Sequence, residues 1–167
     1  MSKAPALMIL FAGAALLAAC GQKTSSASDQ AASPTEPASA PAIATPEQAK
    51  AMVATLPAPF NTGDPEAGKG KFTPCAACHT LTPGGPNMTG PNLYGLFGRK
   101  TASLASFDYS DALKAAGGSW DAARIDTWIS GPQVMVPGTR MSFPGLKDAK
   151  DRQDVIAYLK VATSPVP

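Results

Sequence analysis

The chain is poor in the residues that most functional classes depend on. Its 167 residues include one histidine and three cysteines, so no site built on several imidazoles is available. Charged residues make up only 16% and the formal net charge is +2, too weak a bias to imply a nucleic-acid partner. The longest apolar run, Ala6 to Ala19, falls short of the ~20 residues that a transmembrane helix needs. No segment alternates polar and apolar residues long enough to read as a strand, and there is no internal repeat. Aromatic residues are 7%, which leaves a thin core of the kind that often needs a staple. Proline and glycine, by contrast, are abundant at 17 and 15, and imply long loops or a linker.

The N-terminus reads as an export signal at residues 1–19: Lys3, the short apolar run, then Leu17-Ala18-Ala19-Cys20-Gly21. That ending resembles a bacterial lipobox, in which Cys20 becomes the lipidated first residue of the mature protein. An ordinary signal peptide with an incidental cysteine would export the chain equally well. Residues 20–59 are expected to be the lipidated cysteine and an Ala/Ser/Pro-rich linker, of which residues 21 to about 45 are too poor in large apolar side chains to offset their ordering entropy. Within it, Thr45-Pro46-Glu47 starts a short helix that ends before Pro57. The folded domain is expected over residues 60–167. Asp64-Pro65-Glu66 opens a helix that should run into Cys75–Cys78. Thr80 to Thr101 is irregular. Further helices are expected from Ser110 to Gly117, over Asp121–Ile129, and over Asp148–Val161. The class is all-α with large loops.

The chemistry lies in Cys75-Ala76-Ala77-Cys78-His79. Helical spacing presents the two thiols on one side, able to add to the two vinyl groups of a haem. His79 can then offer a ring nitrogen to the iron. A thioredoxin-like pair would sit near a βαβ pattern, which is missing, and a zinc site needs four ligands, usually Cys or His, whereas this chain has no other His and no spare Cys in the domain. The motif therefore reads as covalent attachment of one haem c. Bis-His ligation would need a second histidine, so the other axial position is methionine or open. Met141, in Pro137-Gly138-Thr139-Arg140-Met141, is the candidate a Pro-Gly turn can deliver. Met88 and Met135 are rivals, and any methionine can instead fill a gap in the core.

From about Gly68 onward the chain resembles the class I cytochromes c. The matching stretches are Cys75–His79, Thr89-Gly90-Pro91-Asn92-Leu93, Gly95-Leu96-Phe97-Gly98-Arg99-Lys100, Pro137–Met141 and Ile156-Ala157-Tyr158-Leu159-Lys160. The resemblance implies the class I cytochrome c fold, helices and long loops wrapped around one haem. It makes Met141 the sixth iron ligand and Pro91 the acceptor for the His79 imidazole N–H. It places Arg99, Tyr109, Trp120 and Thr139 around the haem propionates, Phe143 over one haem edge, and Gly68 against Tyr158 where the first and last helices cross. The chain departs from the pattern at Phe72, three residues before Cys75 instead of four, so the first helix should join the haem differently. Trp128 and Leu113 replace a usual Tyr and Asn, which implies a drier methionine side. The family's ring of lysines is depleted: Pro74, Pro86, Met88 and Gln133 are uncharged, while Arg140 and Lys147 remain.

The function this implies is single-electron transfer in a respiratory or photosynthetic chain, not enzymatic catalysis. The expected partners are a cytochrome bc-type donor and a terminal oxidase or reductase acceptor. The expected place is the periplasmic face of the bacterial cell membrane, held there by the Cys20 lipid. Two other readings stay open on the residues alone. One is a haem enzyme or a gas- or peroxide-binding sensor with a labile sixth ligand. The other is a fixed cytochrome subunit of an oxidoreductase complex.

Overall fold

The computed structural model describes residues 44–166; the expected signal segment, Cys20 and the linker up to residue 43 lie outside the described residues. Seven helices follow in order: α1 Pro46–Ala54, α2 Pro65–Lys71, α3 Thr73–Ala76, α4 Asp111–Ala116, α5 Ala122–Ser130, α6 Pro132–Met135 and α7 Ala149–Ala162. A 3-10 turn, Phe60–Thr62, sits between the first two. Among the described residues there is no strand, only one isolated antiparallel bridge between Lys100 and Ser119, so the class is all-α.

Local chemistry accounts for where the helices start. Asp64, Ser110, Asp121 and Asp148 each turn a side-chain oxygen onto a backbone N–H of the first turn, satisfying donors that would otherwise lack partners. Thr45 and Gln48 form a reciprocal capping box at the start of α1. The expected continuous helix into Cys75–Cys78 is instead broken at Phe72 into α2 and α3. Pro74 has no N–H to give to the Gly70 carbonyl, and the Thr73 hydroxyl donates to that carbonyl at 2.9 Å instead.

The helical frame is set by α2 against α7. Gly68 is what lets them approach: a Cβ there would lie 1.9 Å from the Asp154 carbonyl oxygen and 2.9 Å from the Tyr158 Cβ. Two polar ties brace the crossing. Lys71 pairs with Asp151 at 2.9 Å, and the buried Asp154 carboxylate accepts the Asp64 N–H at 2.7 Å and pairs with Lys150. On the other side Arg152 pairs with Asp126 at 2.8 Å, joining α7 to α5.

The folded unit begins earlier than the sequence reading placed it. Val53 and Leu56 belong to the same buried cluster as Phe60, Ile156 and Leu159, and α1 packs against α7. A segment assigned to the linker is therefore part of the core, because Val53 of the short helix and Leu56 just after it suffice once α7 offers them a surface. The short helix α6 was also not expected. It follows directly on α5 and ends just before the Met141 loop.

Candidate functional site

A cavity of about 330 Å³ opens between α3, the loop after it, α5 and the loop ahead of α7. All nine residues singled out in the domain line it: Cys75, Cys78, His79, Pro91, Arg99, Tyr109, Trp120, Thr139 and Met141. Phe143, Leu113 and Trp128 line it too, whereas Met88 and Met135 do not. Met88 is instead 47% exposed.

Helix α3 and the turn after it carry both cysteines. Cys78 N–H and His79 N–H both return to the Cys75 carbonyl at 3.0 Å, a tight turn that brings the three side chains to one wall. The cysteines are not bonded to each other, and burial pushes the Cys75 thiol up from its ordinary pKa. His79 Nδ1 lies 2.8 Å from the Pro91 carbonyl oxygen. A carbonyl only accepts, so Nδ1 bears the proton and the Nε2 lone pair is free. Burial, above all, holds the imidazole below its usual pKa; the Pro91 bond opposes this and the Arg99 charge adds to it. Burial thus favours the neutral form that a metal requires.

Gly90 and Asn92, both within Thr89–Leu93, also hold this wall. Gly90 packs on the imidazole, and a Cβ there would sit 2.3 Å from the His79 Cε1. Asn92 ties the irregular loop together. It donates to the Thr80 hydroxyl at 2.7 Å and the Thr82 carbonyl at 2.9 Å, accepts the Tyr94 N–H at 2.9 Å, and its own N–H is taken by Asn87 at 2.9 Å. The Gly-Pro-Asn run was the available signal; without periodicity it indicates a turn but not what the turn encloses.

In the loop ahead of α7, Thr139 N–H returns to the Val136 carbonyl at 3.1 Å, closing the turn before Met141. Gln133 of α6 donates to the Thr139 carbonyl at 2.6 Å and the Met141 carbonyl at 3.2 Å, so α6 acts as a brace for the methionine loop. At the rim Arg140 pairs with Asp108 at 3.0 Å. Inside, Arg99 donates to the carbonyls of Tyr94 and Asn92, both at 3.1 Å, and no carboxylate among the described residues pairs with it.

These walls fit a covalent haem. They are mostly apolar, with two free thiols and a neutral imidazole on one side and a thioether on another. They also hold a half-buried guanidinium with no counter-charge, which a group bearing two carboxylates would supply. Such an all-α shell defines a class, the small single-haem carriers.

The comparisons with known proteins agree. The family model "Cytochrome c" matches residues 65–163. Cytochrome c2 of Rhodoblastus acidophilus is 48% identical over 97 residues, covering 58% of this chain and 91% of that protein. Cytochrome c of Stellaria longipes is 47% identical over 105 residues, covering 62% and 97%. Among solved structures, cytochrome cH from Methylobacterium extorquens superposes with a TM-score of 0.55 at 44% identity, over 59% of this chain and 98% of that one. The chain belongs to the cytochrome c family. It is a carrier of electrons on one covalently attached haem c, and not an enzyme.

Proposed function

We propose that Cys75 and Cys78 would hold the haem through thioether bonds, that His79 and Met141 would ligate its iron, and that the protein carries electrons between membrane redox complexes of a respiratory or photosynthetic chain. The observation that carries the ligation is the placing of the one histidine and Met141 on the walls of one cavity that Met88 and Met135 do not reach. The haem supplies an iron that cycles between ferrous and ferric. The protein's part is to hold the neutral His79 ring by the Pro91 carbonyl, to brace the Met141 loop through Gln133, and to meet the haem carboxylates with Arg99, Tyr109, Trp120 and Thr139.

The burial of Leu113 and Trp128 on the cavity wall supports a dry methionine side. A thioether ligand and low polarity both favour the reduced iron, so a high potential is expected. The partners we propose are a cytochrome bc-type donor and a terminal oxidase or reductase acceptor. The lipid on Cys20 would hold the domain at the periplasmic face of the cell membrane and replace a diffusional search with a high local concentration.

An optical spectrum of the mature protein, taken with its intact mass, tests the reading. The expected result is a covalent haem adduct, a diacyl-type lipid mass on Cys20, and the weak far-red band of ferric haem ligated by methionine at neutral pH. The reduced protein should not bind carbon monoxide. Carbon monoxide binding with no far-red band would instead favour the gas-binding or enzymatic reading, and a Met141→Ala variant that kept the band would move the ligand elsewhere.

A further inference from the structure

Arg124 sits behind the cavity wall with a charge that nothing around it balances. It belongs to the first turn of α5, is half-buried, and is not a cavity-lining residue. Its Nη2 donates to the Gly117 carbonyl at 2.7 Å. The guanidinium carbon lies 5.5 Å from the centroid of the Trp120 ring, within cation–π range. Its Nη1 lies 3.0 Å from where a Cβ on Gly118 would stand, so the group is wedged between the Gly117–Gly118 turn and the indole. Its Nε is buried with no acceptor. No carboxylate among the described residues pairs with it, and the nearby Asp121 spends its carboxylate on the α5 backbone.

The segment it clamps is one of the cavity walls. Trp120 N–H donates to the Arg99 carbonyl at 2.9 Å, Gly98 N–H to the Trp120 carbonyl at 2.7 Å, and Thr101 N–H to the Gly118 carbonyl at 2.9 Å. Arg99 and Trp120 therefore ride on one short antiparallel pairing, and Arg124 fastens its outer side to α5. Two guanidinium groups, Arg99 inside and Arg124 behind Trp120, thus flank this wall without counter-charges. A haem brings two carboxylates.

We infer that Arg124 is a positioning residue for Trp120 and the second cation that balances the haem carboxylates, so that its charge raises the reduction potential of the protein. The inference rests on the haem-carrying reading above. The sign follows from charge: reduction adds an electron beside the cation, and a half-desolvated cation is screened far less than an exposed one.

The test is redox titration of the mature holoprotein and three variants. Arg124→Gln keeps the length and a donor toward Gly117 but removes the charge, and its midpoint should fall below wild type. Arg124→Lys keeps the charge and should stay near the wild-type midpoint, even if it melts at a lower temperature. Lys100→Gln removes an exposed charge and should leave the midpoint where it was. An unchanged midpoint in Arg124→Gln would overturn the inference, as would Arg124→Lys falling as far, or Lys100→Gln shifting as much.

Should Arg124→Gln fail to accumulate, the wild type decides through the NMR signal of the Arg124 Nε–H. Slow exchange with solvent and a shift on reduction are expected. A signal that exchanges as fast as that of exposed Arg140 and ignores the oxidation state overturns the inference. A chain that matures without any covalent haem overturns the proposed function itself, whereas a haem protein with a midpoint blind to Arg124 overturns only this inference.

Discussion

At the residue scale, the His79 wall depends on a missing side chain. The imidazole can donate to Pro91 only because nothing projects from Gly90, where a Cβ would come within 2.3 Å of the ring. Gly90→Ala must push the ring off the Pro91 carbonyl or move the loop. Overpacking of this kind costs about 1–3 kcal/mol. The expected outcome is a lower melting temperature together with a perturbed haem spectrum; a variant that matched wild type in both would show that the ring has room. Asp108 behaves differently because it is exposed. Its hydrogen bond to Arg140, and then the Arg140 charge, hold its carboxyl below the ordinary value. A carboxyl depressed in the folded state stabilises above its unfolded pKa of about 3.9 and loses that contribution as pH falls through the lower folded value. The small stability difference between wild type and Asp108→Asn should therefore be present at neutral pH and vanish on acidification below about pH 4. Melting curves across that range check it, and a difference that grew toward low pH would contradict it.

At the scale of elements, two contacts decide how the shell closes. The first is the α2–α7 crossing at Gly68. Gly68→Ala would drive a Cβ to 1.9 Å from a backbone oxygen of Asp154, an atom that cannot swing away. The crossing must open, at a cost of about 1–3 kcal/mol or more, readable as a lower denaturation midpoint. The second is the packing of α1 and the turn after it on the core. Leu56 is 7% exposed and shares its cluster with Phe60 and Val155. Leu56→Ala should cost about 2–4 kcal/mol, whereas the same change in a solvated linker would cost almost nothing. Chemical denaturation of the holoprotein separates the two cases. The break between α2 and α3 belongs to this scale as well: one residue fewer between Phe72 and Cys75, with Pro74 in the gap, shifts the last turn into a separate short helix.

At the scale of the whole molecule, the ring of basic residues is thin. Two basic residues remained there by the sequence reading, and both are engaged: Arg140 with Asp108 at 3.0 Å, and Lys147 with the Ser130 carbonyl at 2.9 Å. The large apolar side chains left exposed among the described residues are Met88, beside Thr89 on the His79 side, and Val134 of α6, next to the brace for Met141. A rim of this kind gives little long-range steering, so contact area and tethering must do what charge does elsewhere. The electron-transfer rate with a membrane acceptor should change little between low and physiological ionic strength. A steep fall with salt would count against this docking mode.

Much of the protein was determined by features that are local in the chain. The Cys75–His79 spacing, the single histidine and the caps at Asp64, Ser110, Asp121 and Asp148 all act over a few residues, so their physics is complete within a short window of sequence. Resemblance to a family carried the rest of the nine cavity residues, and they do line one cavity. What the tertiary structure alone decided depends on partners far apart in sequence. It left Met88 and Met135 away from the cavity that Met141 lines. It drew α1 into the core through α7, a hundred residues away in the chain, and gave Asn92 and Gly90 their roles across an aperiodic loop. It also set Arg124 against Trp120. Burial and close approach are properties of surfaces that meet only after folding, and no local pattern of residues encodes which surfaces those are.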